Sequence, residues 1–206
     1  MKGLFITFEG GECSGKTTII KEVCAVLQQH NIPYISTREP GGIEIAEQIR
    51  SIILDIRNTA MTEETEALLY AASRMQHLKE KVLPALEQGM VVICDRYLDS
   101  SLAYQGYARG LGMDAILKIN HFALHHLPDL TLFIDVKPDV ALQRLAQRNK
   151  SDRLDLEDIS FHKAVYDGYL EVEKLYPNRF VKIDGNKELD ALCEDCVQKV
   201  LDFIGR

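Results

Sequence analysis

The chain has 206 residues, 46% hydrophobic and 27% charged, the composition of a globular protein long enough for one α/β domain with a full core. Its 31 acidic against 24 basic residues leave a net charge of −7, which argues against a broad nucleic-acid-binding face but not against a small anionic substrate held by a few local arginines. No apolar run approaches the roughly 20 residues of a membrane span, and Met1-Lys2-Gly3 leads straight into a β-prone run, so no signal peptide is expected and the cytoplasm is the expected compartment.

Leu4-Phe5-Ile6-Thr7-Phe8 belongs to a first strand, about 4–9. Gly10-Gly11-Glu12-Cys13-Ser14-Gly15-Lys16-Thr17 then fits G-x-x-x-x-G-K-[ST], and Ile19, Ile20, Val23, Val26 and Leu27 recur at helical spacing. Strand, glycine loop and helix form the setting in which backbone N–H groups and a helix N-terminus cradle phosphates. Residues Gly10 through Thr18 are therefore expected at a nucleoside triphosphate, with Lys16 reaching its β- and γ-phosphates and Thr17 ligating Mg²⁺.

Further strands are expected near 32–37, 90–94, 130–136 and 179–183. Met90 to Cys94 and Leu130 to Ile134 are continuous apolar runs, as in strands buried on both faces. The longest helical pattern covers about 62–88, with Thr62 as cap, Glu63 and Glu64 in the first turn, and an apolar stripe of Leu68, Ala71, Met75, Leu78, Val82 and Leu86. Pro84 should bend or break it, and Pro138 should open the helix after the fourth strand. Polar residues 148–157 lie between two helices and read as a mobile lid. Helices over about 158–176 and 187–204 complete the chain. Strands alternating with helices predict a parallel sheet covered on both faces.

Cys24 and Cys94 sit in apolar runs as core thiols. Cys193 and Cys196 form C-x-x-C, but neither a second pair nor clustered histidines accompany them. Leu189, Leu192, Val197, Val200, Leu201 and Ile204 place both in a helix, so packing outweighs redox or zinc chemistry.

In such sheets the ligand sits beyond the carboxyl ends of the strands. The first strand ends at the phosphate loop, the second at Arg38-Glu39-Pro40-Gly41-Gly42 and the third at Asp95-Arg96-Tyr97. Together with Phe8-Glu9-Gly10, Leu68-Leu69-Tyr70-Ala71-Ala72-Ser73-Arg74 and the long string Asp95 to Gly106, these segments resemble the thymidylate (dTMP) kinase family of P-loop nucleoside monophosphate kinases over most of the length. The resemblance implies a three-layer kinase fold, a five-stranded parallel sheet flanked by helices, in one domain over 1–206 with the lid at about 148–157. It implies ATP-dependent phosphorylation of dTMP to dTDP, with Mg²⁺, in a homodimer. Nucleic acid and membrane are not expected partners.

On that resemblance, Arg96 forks onto the acceptor phosphate rather than merely pairing with a neighbour, and Arg38 is a second phosphate ligand rather than a turn residue. Asp95 holds Mg²⁺, directly or through water, or else pairs with Lys16 or Arg96. Tyr70 stacks on thymine, where the family often has Phe and where the residue alone would read as core. Arg74 bonds a base carbonyl. Ser101 and Gln105 offer donors and acceptors for a pyrimidine edge. Tyr104 stands against the sugar and disfavours a 2′-hydroxyl. Glu12, otherwise a solvated loop charge, approaches the 3′-hydroxyl and a substrate-side magnesium. Ile43 departs from a common Thr, and Cys13 replaces a basic loop residue found in some members. Members lacking that residue carry lid arginines, a pattern that Arg148 and Arg153 fit; Arg144 is expected near adenine or in a structural pair, and residues 185–190 on the adenine side. A GTPase reading of Asn149-Lys150-Ser151-Asp152 as N-K-x-D is disfavoured, because the match follows a helical segment and the only D-x-x-G, Asp202 to Gly205, comes at the end of the chain.

Overall fold

A computed structural model describes residues 3–146 and 152–205. All five expected strands form: β1 (Leu4–Glu9), β2 (Tyr34–Arg38), β3 (Val91–Asp95), β4 (Leu130–Asp135) and β5 (Phe180–Asp184). They pair in parallel in the order β2-β3-β1-β4-β5. Phe8 and Arg38 both stand opposite Asp95. The carboxyl ends of β1, β2 and β3 are therefore level, and the segments that follow them open onto one edge.

Strand alternation divides the core between two faces. Ile6, Phe8, Ile93 and Leu132 pack against Ile19, Val23 and Leu27 of α1 (Lys16–Gln29) and Leu192, Cys196 and Val200 of α9 (Leu189–Ile204). Phe5, Val92, Cys94 and Phe133 take the other face with Leu78, Leu102 and, from α8 (Ile159–Leu175), Val165, Tyr169 and Val172. Cys94, Cys193 and Cys196 are buried, as expected of packing residues, and burial pushes the Cys196 thiol up to about 12. Cys24 is half-buried at the edge of the same core. Pro138 opens α7 (Pro138–Leu145), also as expected.

The 62–88 pattern is one rod in three pieces: α3 (Glu63–His77), a π-helical stretch Leu78–Val82 and α4 (Leu83–Glu87). The Thr62 hydroxyl caps it, accepting from the Thr65 N–H at 3.3 Å. Two expectations need correction. Pro84 does not break the rod, because the wide π turn precedes it and the proline falls in the first turn of α4, where its missing N–H is tolerated. The inward stripe is also different: Leu68 is 55% exposed, while Glu66, Ser73, Arg74 and His77 are buried. The expected stripe holds in its second half, where Leu78, Val82 and Leu86 are buried and Met75 packs against the core, but on the first turns of α3 the inward face lies under a polar cleft and carries ion-paired Glu66 and Arg74 in place of Leu68.

The remaining elements position that cleft. Helix α2 (Glu44–Leu54) packs beside α3, and β3 leads into a short α5 (Leu98–Ser101) that widens into a π-helical Leu102–Ala108, followed by α6 (Met113–Ile119). Gly168 lets α8 lie directly on the π segment; a Cβ there would come within 2.9 Å of the Ala103 backbone. That approach brings Tyr169 to the end of β1.

There Glu9 closes β1 as a fully buried carboxyl. It accepts from the Tyr97 N–H at 2.7 Å, the Ser100 hydroxyl at 2.5 Å and the Tyr169 hydroxyl at 2.9 Å. Burial, and then repulsion from Asp99, push its pKa up to about 7 against the pull of Arg96. The folded value lies above the ordinary 4.5, so the stability it contributes is fully present below 4.5 and is lost as pH rises through 7. In urea melts, wild type should therefore lose stability relative to Glu9→Gln between pH 5 and pH 8, by about 2 kcal/mol. An unchanged difference at the two pH values would show that Glu9 does not titrate in this window.

Candidate active site

A cleft of about 440 Å³ opens at the carboxyl ends of β1, β2 and β3. One wall is the phosphate loop from Glu12 to Thr18; Gly10 and Gly11 do not line the cleft, and their carbonyls accept from Lys16. Lys16 is buried, and its Nζ donates to the Gly10 and Gly11 carbonyls at 3.1 and 2.8 Å and to Ser14 Oγ at 3.0 Å. Burial first, and then repulsion from Arg96, lower its pKa to about 8, although Asp95 and Glu12 oppose the shift. Gly15, with φ 94°, turns the loop into α1, whose first turn has no side-chain cap and no acidic residue. An anion is the natural partner for those exposed N–H groups.

Asp95 and Arg96 leave β3 sharply. Arg96 has φ 68°, rare for a side-chain-bearing residue and of the kind that clusters at working sites. The turn carries its guanidinium beneath the loop, where Nη1 donates to the Gly10 carbonyl at 2.9 Å and to Tyr169 Oη at 3.1 Å, and Nη2 donates to Glu12 at 2.5 Å. Tyr104 flanks the group, its ring 5.2 Å from the guanidinium carbon and its hydroxyl donating to Glu12 at 3.0 Å. Burial opposes the charge on Arg96, yet Glu12 and the other groups around it hold it firmly ionised. Among the described residues Asp95 Oδ1 is buried without a hydrogen-bond partner, and the exposed Thr17 shares its cleft. An unpartnered carboxylate oxygen and a hydroxyl are hard donors that suit Mg²⁺.

The far end of the cleft is cationic and aromatic. Arg38 and Arg50 both line it, Arg38 donating to Glu47 at 2.7 Å and Arg50 to the Pro40 carbonyl at 2.9 Å. Burial, followed by repulsion from Arg38, makes the Arg50 charge less favourable than usual, a strain that an anion between them would relieve. Tyr70, Arg74 and Gln105 form the remaining wall. Arg74 is only 2% exposed. It donates to Glu39 and to Asn120 Oδ1, each at 2.8 Å, to the Tyr97 carbonyl at 3.1 Å and to Ser101 Oγ at 3.0 Å. Of its five N–H groups, these contacts leave one for a ligand. His77 supports the same carboxylate, with Nδ1 2.9 Å from Glu39 and Nε2 2.7 Å from Thr37 Oγ1.

The cleft thus brings together Glu12 through Thr18, Arg38, Tyr70, Arg74, Asp95, Arg96, Tyr104 and Gln105. Ser101 and Arg153 differ from expectation. Ser101 does not line the cleft; Ser100 does. The chain widens into a π helix after Ser101, so Ser100, rather than Ser101, shares the inward face with Tyr104 and Gln105. Arg153 was expected over the donor phosphates, but it donates to the Ile53 carbonyl at 2.8 Å and pairs with Glu66. A buried carboxylate beside α2 has captured it. Arg148 lies outside the described residues. Arg144, by contrast, reaches the phosphate loop, donating to the Cys13 carbonyl at 3.4 Å. Sequence reasoning missed Arg50, Ser100, Asn120 and the carboxylates Glu9, Glu39 and Glu66. For Glu66 a signal existed, since it stands at i−4 from Tyr70 and i−8 from Arg74 on one helix face.

The sequence model of the family described as thymidylate kinase matches residues 8–196. A thymidylate kinase of Clostridium novyi (strain NT) is 56% identical over 197 residues, which cover 94% of this chain and 96% of that protein. Thymidylate kinases of Oceanobacillus iheyensis and Bacillus velezensis are 54% and 51% identical, over 99% and 97% of this chain and 92% and 96% of their own lengths. With the phosphate loop at one end of the cleft and paired arginines beside an aromatic wall at the other, the chain belongs to the thymidylate kinase family.

Proposed function

We propose that the cleft transfers the γ-phosphoryl group of ATP to the 5′-phosphate of dTMP, giving ADP and dTDP. The observation that carries this reading is one cleft lined by a phosphate loop and by three arginines, Arg96 beneath the loop and Arg38 and Arg50 beyond it, enough cationic groups for two anions. Phosphoryl transfer needs positioning and charge neutralisation more than covalent chemistry from the protein. The loop N–H groups and Lys16 hold the β- and γ-phosphates, whose charge restores the proton affinity that Lys16 loses to burial. Arg38 and Arg96 hold the dTMP phosphate. One of its oxygens attacks the γ-phosphorus while the bond to the β,γ-bridging oxygen breaks, and that electron pair departs on ADP. Thr17 and Asp95 would hold Mg²⁺, which when bound neutralises charge on the transferring phosphates.

Tyr70 stacks on the thymine ring, Arg74 gives its remaining N–H to a base carbonyl, and Gln105 reads the pyrimidine edge. Tyr104 and Glu12 flank the sugar, the first against a 2′-hydroxyl and the second towards the 3′-hydroxyl. Arg144 is the cation proposed at the loop, and Arg148 keeps its sequence-based assignment to the lid. Arg153 is assigned instead to hold Glu66. We take residues 1–206 as one domain working in the cytoplasm; among the described residues no helix is long and apolar enough to cross a membrane.

A coupled assay of ADP release tests the reaction. With ATP and dTMP, Lys16→Met should reduce turnover about 10²-fold or more while the protein stays folded. Near-normal turnover by a folded variant would remove Lys16 from the phosphate site.

We further propose a homodimer through α2 and α3, which pack side by side and leave Ile45, Ile52 and Leu68 about half exposed, with Ile56 exposed just beyond α2. Sedimentation at micromolar concentration should give a dimer, and Leu68→Lys should shift it towards monomer. A wild-type monomer would reject the interface.

A further inference from the structure

Gln105 is the cleft residue whose reading of the base depends on which way it faces. Its amide has an accepting end, Oε1, and a donating end, Nε2. Thymine offers an N3–H donor beside the O4 acceptor, whereas cytosine offers N3 as an acceptor beside an amino donor. An amide free to turn over would pair with either ring.

Gln105 is not free to turn. Its Nε2 donates to Glu66 Oε1 at 2.8 Å, and both side chains are buried. An ionised carboxylate only accepts, so turning the amide over would press Oε1 against another acceptor where both side chains are buried. Glu66 stays ionised for a visible reason. Arg109 approaches it at 3.2 Å, and Arg153 pairs with it from the other side. Burial raises the Glu66 pKa, but Arg109, Arg153 and Gln105 together outweigh that and lower it. Both arginines are themselves held, Arg109 by Glu157 at 2.5 Å and by the Phe161 ring 4.4 Å away, Arg153 by the Ile53 carbonyl at 2.8 Å. None of Glu66, Arg109, Arg153 and Glu157 lines the cleft. Among the described residues of this cluster, Gln105 is the member that faces the cleft.

We propose that Glu66 is a specificity-determining positioning residue: it locks the Gln105 amide with Nε2 inward and leaves Oε1 for the cleft, so that thymine is accepted and cytosine rejected. This deepens the dTMP reading above and rests on it. It also gives Arg153 a role in acceptor choice, through Glu66, in place of the expected role at the donor phosphates.

Wild-type activity with dTMP tests the underlying reading first, so its failure is seen before any variant is made. Glu66→Gln places at 66 a side chain that can donate or accept, which frees Gln105 to turn. The ratio of kcat/KM for dTMP to that for dCMP, or of competitive Ki values where turnover is too slow, should fall about 10-fold or more. In a Gln105→Ala background the same change at Glu66 should leave the ratio where it was. An equal loss on both acceptors, or the same shift without Gln105, would reduce Glu66 to a structural role and overturn the proposal. Thermal melts establish that each variant is folded. Should Glu66→Gln not fold, neutron diffraction from deuterated wild-type crystals with dTMP decides the point: Nε2 deuterons directed at Glu66 are expected, and Oε1 against Glu66 would overturn the proposal.

Discussion

Three buried carboxylates lie beneath the cleft, and the directions of most polar groups facing it follow from theirs. Glu9 gathers the Tyr97 N–H, Ser100 and Tyr169, two of which also touch Arg96. Glu39 fixes Arg74 and His77. Glu66 fixes Gln105, Arg109 and Arg153. A buried charge costs several kcal/mol when left unpaired, so Glu39 and Glu66 depend on the arginines that pair with them, while Glu9 meets burial partly by holding its proton more tightly. The face of α3 that supplies Glu66, Arg74 and His77 is the one turned inward where Leu68 was expected.

The cations at the centre of the cleft are arranged differently. Lys16 rests on loop carbonyls and Arg96 on Glu12, contacts that phosphate oxygens can replace without new packing. The cleft therefore combines a half whose polar groups are fixed by buried carboxylates, the half proposed to read the base, with a charged half whose contacts entering anions could replace. The unpartnered Asp95 Oδ1 belongs to the charged half, where a cation would complete its coordination.

What the sequence reveals is what local pattern controls. The strands, the phosphate loop, the Thr62 cap and the Pro138 start are written in neighbouring residues, and the strand-end rule was enough to bring Arg38, Asp95 and Arg96 to one edge. Contacts between distant residues were not legible. Arg153 reads as a lid arginine from its polar surroundings, yet its partner Glu66 is 87 positions away, and the helix-face spacing that links Glu66 to Tyr70 and Arg74 says nothing of Arg153. Ser101 and Gln105 share a face only on a regular α helix, and the π widening after Ser101 leaves no recognisable mark in composition. Leu68 reads as core because helical spacing reveals a face without revealing what covers it.

The most direct test is a pair of crystal structures, without ligand and with dTMP. If the base-reading half is set in advance, the Glu39–Arg74 and Glu9–Ser100 contacts will survive binding with backbone shifts below about 1 Å, while Arg96 leaves Glu12 for the dTMP phosphate. A dTMP complex in which Arg74 has left Glu39, or in which the floor of the cleft has been rebuilt around the base, would contradict this account.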